Sequence, residues 1–171
     1  MNNFKLRPAK ITELSRLVYI DDRASELFCT VGMKFNFEAS HPFVIAEVER
    51  WKNAIHHGNA IFVVDPLDNP VGFSIVNIVD NCHYLDQISV HPDFMGMGLG
   101  KKLLLASIDW SQKNALWLTT YSHVKWNAPW YKKLGFKEVL FSQCSPGIQK
   151  ILLAQQEVLP DPEKRIAMVR Q

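Results

Sequence analysis

Three glycines at alternate positions, Gly96, Gly98 and Gly100, run directly into an apolar-periodic stretch in HPDFMGMGLGKKLLL, residues 91–105. Glycine lacks the Cβ that keeps an anion away from backbone N–H groups, and a helix start adds the positive end of its dipole. The pattern is therefore that of a phosphate cradle. Spacing excludes two common cradles. A G-x-x-x-x-G-K-[ST] loop ending at Gly100-Lys101 would need glycine where Met95 stands and a hydroxyl where Lys102 stands. A G-x-G-x-x-G/A fingerprint would put Gly or Ala at Lys101 and would follow an early strand. Lys101 and Lys102 occupy the first helical turn, where a cation costs about 0.3–1 kcal/mol each and where a bound diphosphate reverses the sign.

The elements that must hold this loop are legible on both sides of it. Residues 4–7 alternate apolar and basic and stop at Pro8, as a short strand does. Thr12 is placed to cap a helix over about residues 11–28, residues 29–42 break the period as a loop, and helical spacing returns over residues 42–57 until Gly58. Apolar runs at residues 60–64 and 71–79, joined by DPLDNP, predict a hairpin buried on both faces, and residues 84–90 a third strand ending at His91-Pro92. Beyond the glycines the spacing predicts a helix from Leu99 to about Lys113, a strand over residues 116–119 and a short helix capped by Asn127 and stopped by Gly135. A strand over residues 136–141, a helix over 146–158 and a last strand over 165–169 complete the chain.

Composition narrows the partners. The 171 residues, 47% apolar, suit a single domain spanning 1–171 with one core, its final helix and strand lying beyond about residue 143. The net charge of +2 is spread over scattered Lys and Arg without a basic block, which argues against nucleic acid and suits a small anionic ligand. Cys29, Cys82 and Cys144 are odd in number and far apart, so buried, reduced thiols are expected, not a disulfide framework or zinc site. His56-His57 closes a helix near Gly58 and is not read as a metal site; no metal is expected. With no apolar leader and no run of 18 apolar residues, neither export nor a membrane is indicated, and a cytoplasmic location is expected.

M-G-M-G-L-G after a central strand, followed later by W-N-A-P-W-Y-K-K-L-G-F, resembles the GNAT superfamily of acyl-CoA-dependent N-acyltransferases. That family's phosphate loop is [QR]-x-x-G-x-[GA], and a later helix carries a tyrosine before L-G-F. Gly98 and Gly100 match the first motif, and Tyr131-Lys132-Lys133-Leu134-Gly135-Phe136 the second. The W-N-A-P-W-Y variant, with P-G-I and R-I-A-M in the tail, resembles a bacterial subgroup. The resemblance implies an α/β (α+β) fold: a mixed central sheet of six to seven strands, splayed between the fourth and fifth, flanked by helices.

It also implies roles for residues. Ile88, Ser89 and Val90 would line a slot for pantetheine, with an N–H near Val90 polarising the thioester carbonyl. Met95, Gly96, Met97, Gly98, Leu99, Gly100 and Lys101 would hold the coenzyme A diphosphate, with Asn127, Trp130, Tyr131 and Lys133 contributing from the second motif. Met95 replaces the usual Gln or Arg, and Val124 stands where many members carry a pantetheine-contacting Asn, a role that passes to Asn127. The activity implied is transfer of acetyl from acetyl-CoA to a primary amine of a small molecule. The alternatives are a non-catalytic acyl-CoA-binding or regulatory module and an acyltransferase acting on a protein or peptide amine. A homodimer is frequent in similar proteins.

A free alkylamine of pKa near 10.4 is neutral only about once in a few thousand molecules at pH 7, so the transfer needs a base or a desolvated pocket. Tyr131, a phenol of pKa near 10 against about 8.5 for a thiol, is the expected proton donor to the departing thiolate. Asp86 is the candidate base, on the face of Tyr84 and Ile88 if alternation holds, with His83, His123 or a water chain as alternatives. The resemblance further implies that Phe28, Phe35, Tyr84, Tyr121 and Trp126, with Met33 and Phe37, flank an acceptor mouth, where aromatic rings could seat a cation or a ring.

Overall fold

In the computed structural model, which describes residues 3–171, β1 (Lys5–Pro8) leads through a 3-10 turn into α1 (Leu14–Ser25) and α2 (Pro42–His56). The meander β2 (Ala60–Val64), β3 (Pro70–Val79) and β4 (Cys82–Val90) follows, then α3 (Leu99–Trp110) and β5 (Leu116–Tyr121). The chain closes with α4 (Ala128–Lys133), β6 (Lys137–Val139), α5 (Pro146–Val158) and β7 (Arg165–Arg170). These strands form one seven-stranded sheet in the order β1-β2-β3-β4-β5-β7-β6, antiparallel except where β4 meets β5. The expected mixed sheet flanked by helices is the one observed.

Each sheet face carries its own layer. Leu17 and Ile20 of α1 and Trp51 of α2 pack on Phe62, Phe73 and Ile75, while Ile148 and Leu152 of α5 extend that layer over Tyr84 and Ala167. On the other face Leu99 and Leu103 of α3 meet Val63 and Val71, and Tyr131 of α4 joins Leu85, Leu116, Leu118 and Met168. Burial on both faces explains the continuous apolar runs of β2 and β3.

Two irregularities of β4 shape the centre. Its pairing with β3 shifts between Ile75↔Gln87 and Val76↔Leu85, which leaves Asp86 as the extra residue of a β-bulge. Its parallel pairing with β5 covers only His83↔Leu116 and Tyr84↔Trp117. Beyond Tyr84 the two strands part, so the splay falls between the fourth and fifth strands as expected.

Several local expectations are corrected. Residues 11–28 form an α-helix flanked by 3-10 turns, and Thr12 caps nothing. The Glu13 carboxylate accepts the Lys10 amide at 3.0 Å while held by Arg7, which fixes that start instead. α3 ends at Trp110, because Ser111 Oγ donates to Ile108 O and the chain then turns through positive φ at Gln112 and Lys113. The strand expected over 136–141 shortens to Lys137–Val139, since Phe141 starts a 3-10 turn. All three cysteines are free, but only Cys144 is buried as expected; Cys29, on the turn after α1, is exposed and Cys82 is half-buried. Among the described residues no helix is long and apolar enough to cross a membrane.

Candidate active site

The opened gap beyond Tyr84 is edged by unpaired backbone. His91 donates its amide to Val71 O of β3 at 2.8 Å. Strand alternation then turns the amides of Val90 and Ile88 the other way, toward the gap. Past His91, whose Nδ1 accepts the Asp93 amide at 3.3 Å, a 3-10 turn delivers the glycine loop. Gly96 (φ 80°) and Gly98 (φ 76°) adopt left-handed backbone, which glycine takes without the cost imposed on other residues. Among the described residues the amides of 96–101 find no acceptor, and the first amide bonded back into the loop is that of Lys102, to Gly98 O at 3.1 Å.

The side chains around this nest divide. Leu99 is buried in the core, so it anchors the loop and offers a ligand only its amide. Ile88 and Val90 pack toward that same core. Met97 and Lys101 are exposed, Met95 is half-buried, and Lys102 spends its ammonium on Phe4 O. The ring of Trp130 lies 3.9 Å from where a Cβ on Gly100 would be, closing the space between α3 and α4.

The second motif faces the gap from α4. Tyr131 is 6% exposed and wedged edge-on between Trp130 (4.9 Å between centroids) and Phe136 (5.5 Å). Its hydroxyl makes no hydrogen bond to any described residue, and burial pushes the phenol well above its ordinary pKa, opposed by the charge of Arg165. It therefore keeps its proton throughout the physiological range. Asn127 was expected to cap α4 with its side chain and does not: its backbone carbonyl accepts the amides of Trp130 (2.8 Å) and Tyr131 (3.0 Å), while Oδ1 is buried without a donor. Val124 is buried, and Lys133 is exposed on the last turn.

The opposite face of β4 holds ionisable groups. The bulge keeps Asp86 on the side of Tyr84 but turns Ile88 to the α3 side, correcting the expected shared face. Asp86 accepts from Asn77 (3.1 Å) and Arg50 (3.3 Å), and with Tyr84 and Asn53 these line a cavity of about 250 Å³. Glu47, one helical turn before Arg50, lies 3.9 Å from that guanidinium, and burial beside Asp21 and Asp86 raises its pKa to about 8. Asp21 accepts from Ser89 Oγ (2.6 Å) and Gln87, and burial raises its pKa as well. The Ser89 side chain is thus turned away from the gap.

Of the acceptor candidates, Phe28, Phe35, Tyr121 and Trp126 do meet, with Phe28 4.9 Å from Phe35 and 5.5 Å from Trp126 between centroids. They pack with Met33 and Val124 as one cluster in which Tyr121 is buried and Phe28, Phe35 and Trp126 are half-buried. Phe37 goes elsewhere, to His41 and Phe43. Tyr84 is buried, its hydroxyl 2.8 Å from Thr119 Oγ1. His83 packs on Trp110, and His123 reaches Asp161 at 3.5 Å. Among the described residues no group of three or more His, Cys, Asp or Glu side chains is placed to hold a metal ion. Sequence reasoning missed Glu47, Arg50 and Asp21. Their spacing is that of ordinary helix surface, and only the packing of α1 and α2 over β4 brings them to Asp86.

A splayed mixed sheet with an amide nest at the end of β4 and a buried tyrosine across the gap defines an acyltransferase of a known architecture. A model of the acetyltransferase (GNAT) family matches residues 24–136, and the chain belongs to that family, an enzyme class that uses acetyl-CoA. Similar solved structures share the fold at low identity. The PaiA N-acetyltransferase of Thermoplasma acidophilum in complex with coenzyme A is 16% identical over 99% of both chains, with a TM-score of 0.67. A GNAT-family acetyltransferase of Staphylococcus aureus Mu50 is 15% identical over 98% of both, with a TM-score of 0.69. N-acetylglutamate synthase of Neisseria gonorrhoeae, complexed with coenzyme A and N-acetyl-glutamate, is 14% identical over 98% of this chain and 35% of its own, with a TM-score of 0.70. The residues present fit the donor: the unbonded amides of 96–101 suit a diphosphate, and the orphaned Asn127 Oδ1 suits an amide N–H of pantetheine.

Proposed function

We propose that this acetyltransferase moves the acetyl group of acetyl-CoA to a primary amine of a small molecule by direct attack, both substrates being bound together. The observation that carries the reading is the run of unbonded amides over 96–101, opening onto a gap that a buried, proton-bearing Tyr131 faces. The thioester supplies an activated carbonyl; everything else falls to the chain. Backbone amides of 96–101, with the start of α3, hold the diphosphate, and Met95 adds no side-chain charge. Asn127 Oδ1 and the gap-facing backbone of Ile88 and Val90 align the pantetheine arm, and the Val90 amide donates to the carbonyl oxygen. Tyr131 gives its proton to the leaving sulfur.

Asp86 and Glu47 serve the amine. Asp86 is tied to Arg50 and Asn77 and so orients, whereas Glu47, raised to about 8, suits accepting a proton from an ammonium near neutral pH. The test is calorimetric titration with coenzyme A followed by an amine panel scored by thiol release. The expected result is saturable binding and release that depends on the amine. Binding without release from any amine would leave a non-catalytic module, and no binding would overturn the reading.

A further inference from the structure

Arg165 opens β7 opposite Tyr121 of β5, on the sheet face that α5 covers. Its Cζ lies 4.6 Å from the centre of the Tyr121 ring. Nη2 donates to Gln155 Oε1 at 2.7 Å and to Thr119 Oγ1 at 3.3 Å, and Thr119 in turn meets the Tyr84 hydroxyl. Those bonds make Nη2 a clamp between α5 and β5, and the Tyr121 ring covers one face of the guanidinium. Nε is buried without any acceptor, no carboxylate lies within ion-pair distance among the described residues, and the residue still keeps part of its surface open. A guanidinium cannot shed its proton, so a charge this enclosed and unpaired is costly until an anion reaches it.

Its surroundings place that missing anion at the acceptor side. Thr119 links the guanidinium to the hydroxyl of Tyr84, and Tyr84 lines the cavity beside Asp86, so a chain of two hydrogen bonds joins Arg165 to the residue next to that carboxylate. The diphosphate nest lies at the other end of β4, past Val90, and the aromatic cluster of Phe28, Phe35 and Trp126 closes over Tyr121. Asp86 toward one end and a guanidinium without a carboxylate partner toward the other form a two-charge frame.

We infer that the acceptor is an amino carboxylate, whose amine is received by Asp86 and Glu47 and whose carboxylate seats on Arg165. This rests on the acetyltransferase reading above and narrows it to a substrate class. A carboxylate completes the guanidinium with charge-assisted bonds, whereas a carboxamide or a plain alkylamine leaves the charge unpaired.

The experiment uses matched acceptors on the intact enzyme: amino acids against their primary amides, and ω-amino acids against alkylamines of equal length. Thiol release from acetyl-CoA gives kcat/KM, and thermal shift of the coenzyme A complex gives binding where turnover is slow. The carboxylate members are expected to be preferred about ten- to a hundredfold, the range for hydrogen bonds to a charged group. In Arg165→Gln the preference should fall to about threefold or less, and in Arg165→Lys, which keeps the charge without the planar fork, it should be intermediate. Pairs that the wild-type enzyme does not separate, by rate or by shift, overturn the inference, as does a preference that survives in Arg165→Gln. The wild-type comparison stands even if a variant fails to fold. Calorimetry with coenzyme A alone, run in parallel, separates this outcome from failure of the broader reading: coenzyme A bound with no discrimination sinks only the role of Arg165.

Discussion

Glu47→Gln keeps the size of the side chain and removes a carboxyl whose pKa is raised to about 8 from 4.5 by burial and by Asp21 and Asp86. In the native state this group holds its proton to higher pH than in the unfolded chain. The unfolded form therefore ionises first, and the contribution of Glu47 to stability declines as the pH rises from about 5 to about 8, with little change outside that window. At about 1.36 kcal/mol per pH unit the ceiling is about 5 kcal/mol. The side chain is 24% exposed with Arg50 at 3.9 Å, so solvent and that cation cut the working figure to about 1–2 kcal/mol. Urea unfolding of the wild type and of Glu47→Gln at pH 5, 7 and 9 measures it directly. The wild type should lose about 1–2 kcal/mol more than the variant between pH 5 and pH 9, with unchanged m-values. Parallel pH profiles, or a wild type that gains on the variant with rising pH, would refute the reasoning that these carboxylates share one desolvated site.

Tyr131→Phe should lower kcat by about a hundredfold or more with little change in coenzyme A affinity, because the ring packing against Trp130 and Phe136 is retained; pre-steady-state thiol release checks it. Gly98→Ala introduces no clash, since nothing lies within 4 Å of the added Cβ, but it imposes about 1–2 kcal/mol of left-handed backbone cost. Coenzyme A affinity by calorimetry should weaken by about five- to thirtyfold as the nest relaxes. Asn127→Ala removes a buried acceptor that has no donor, so thermal stability should hold or rise while coenzyme A binds more weakly; differential scanning with and without the nucleotide reads both effects.

The hairpin of β2 and β3, the helix of residues 146–158 and the glycine loop were legible because each is a local matter: runs of buried apolar residues, Pro and Ser at a helix start, glycines at left-handed positions. Residue types in Gly98, Gly100 and Tyr131-Lys132-Lys133-Leu134-Gly135-Phe136 were enough to expect the family and its splayed sheet. Helix ends were less legible, since the Glu13 bond to Lys10 and the Ser111 bond to Ile108 compete with propensity.

What the chain order alone determined is the backbone of the glycine loop proposed to hold the donor, because glycines before a helix are written in consecutive residues. The tertiary structure decided the cluster proposed to receive the acceptor. Asp21, Glu47 and Asp86 come from α1, α2 and β4, and no spacing along the chain marks them as neighbours. Their charges acquire meaning only when the bulge at Asp86 and the helices packed over it bring them together away from water.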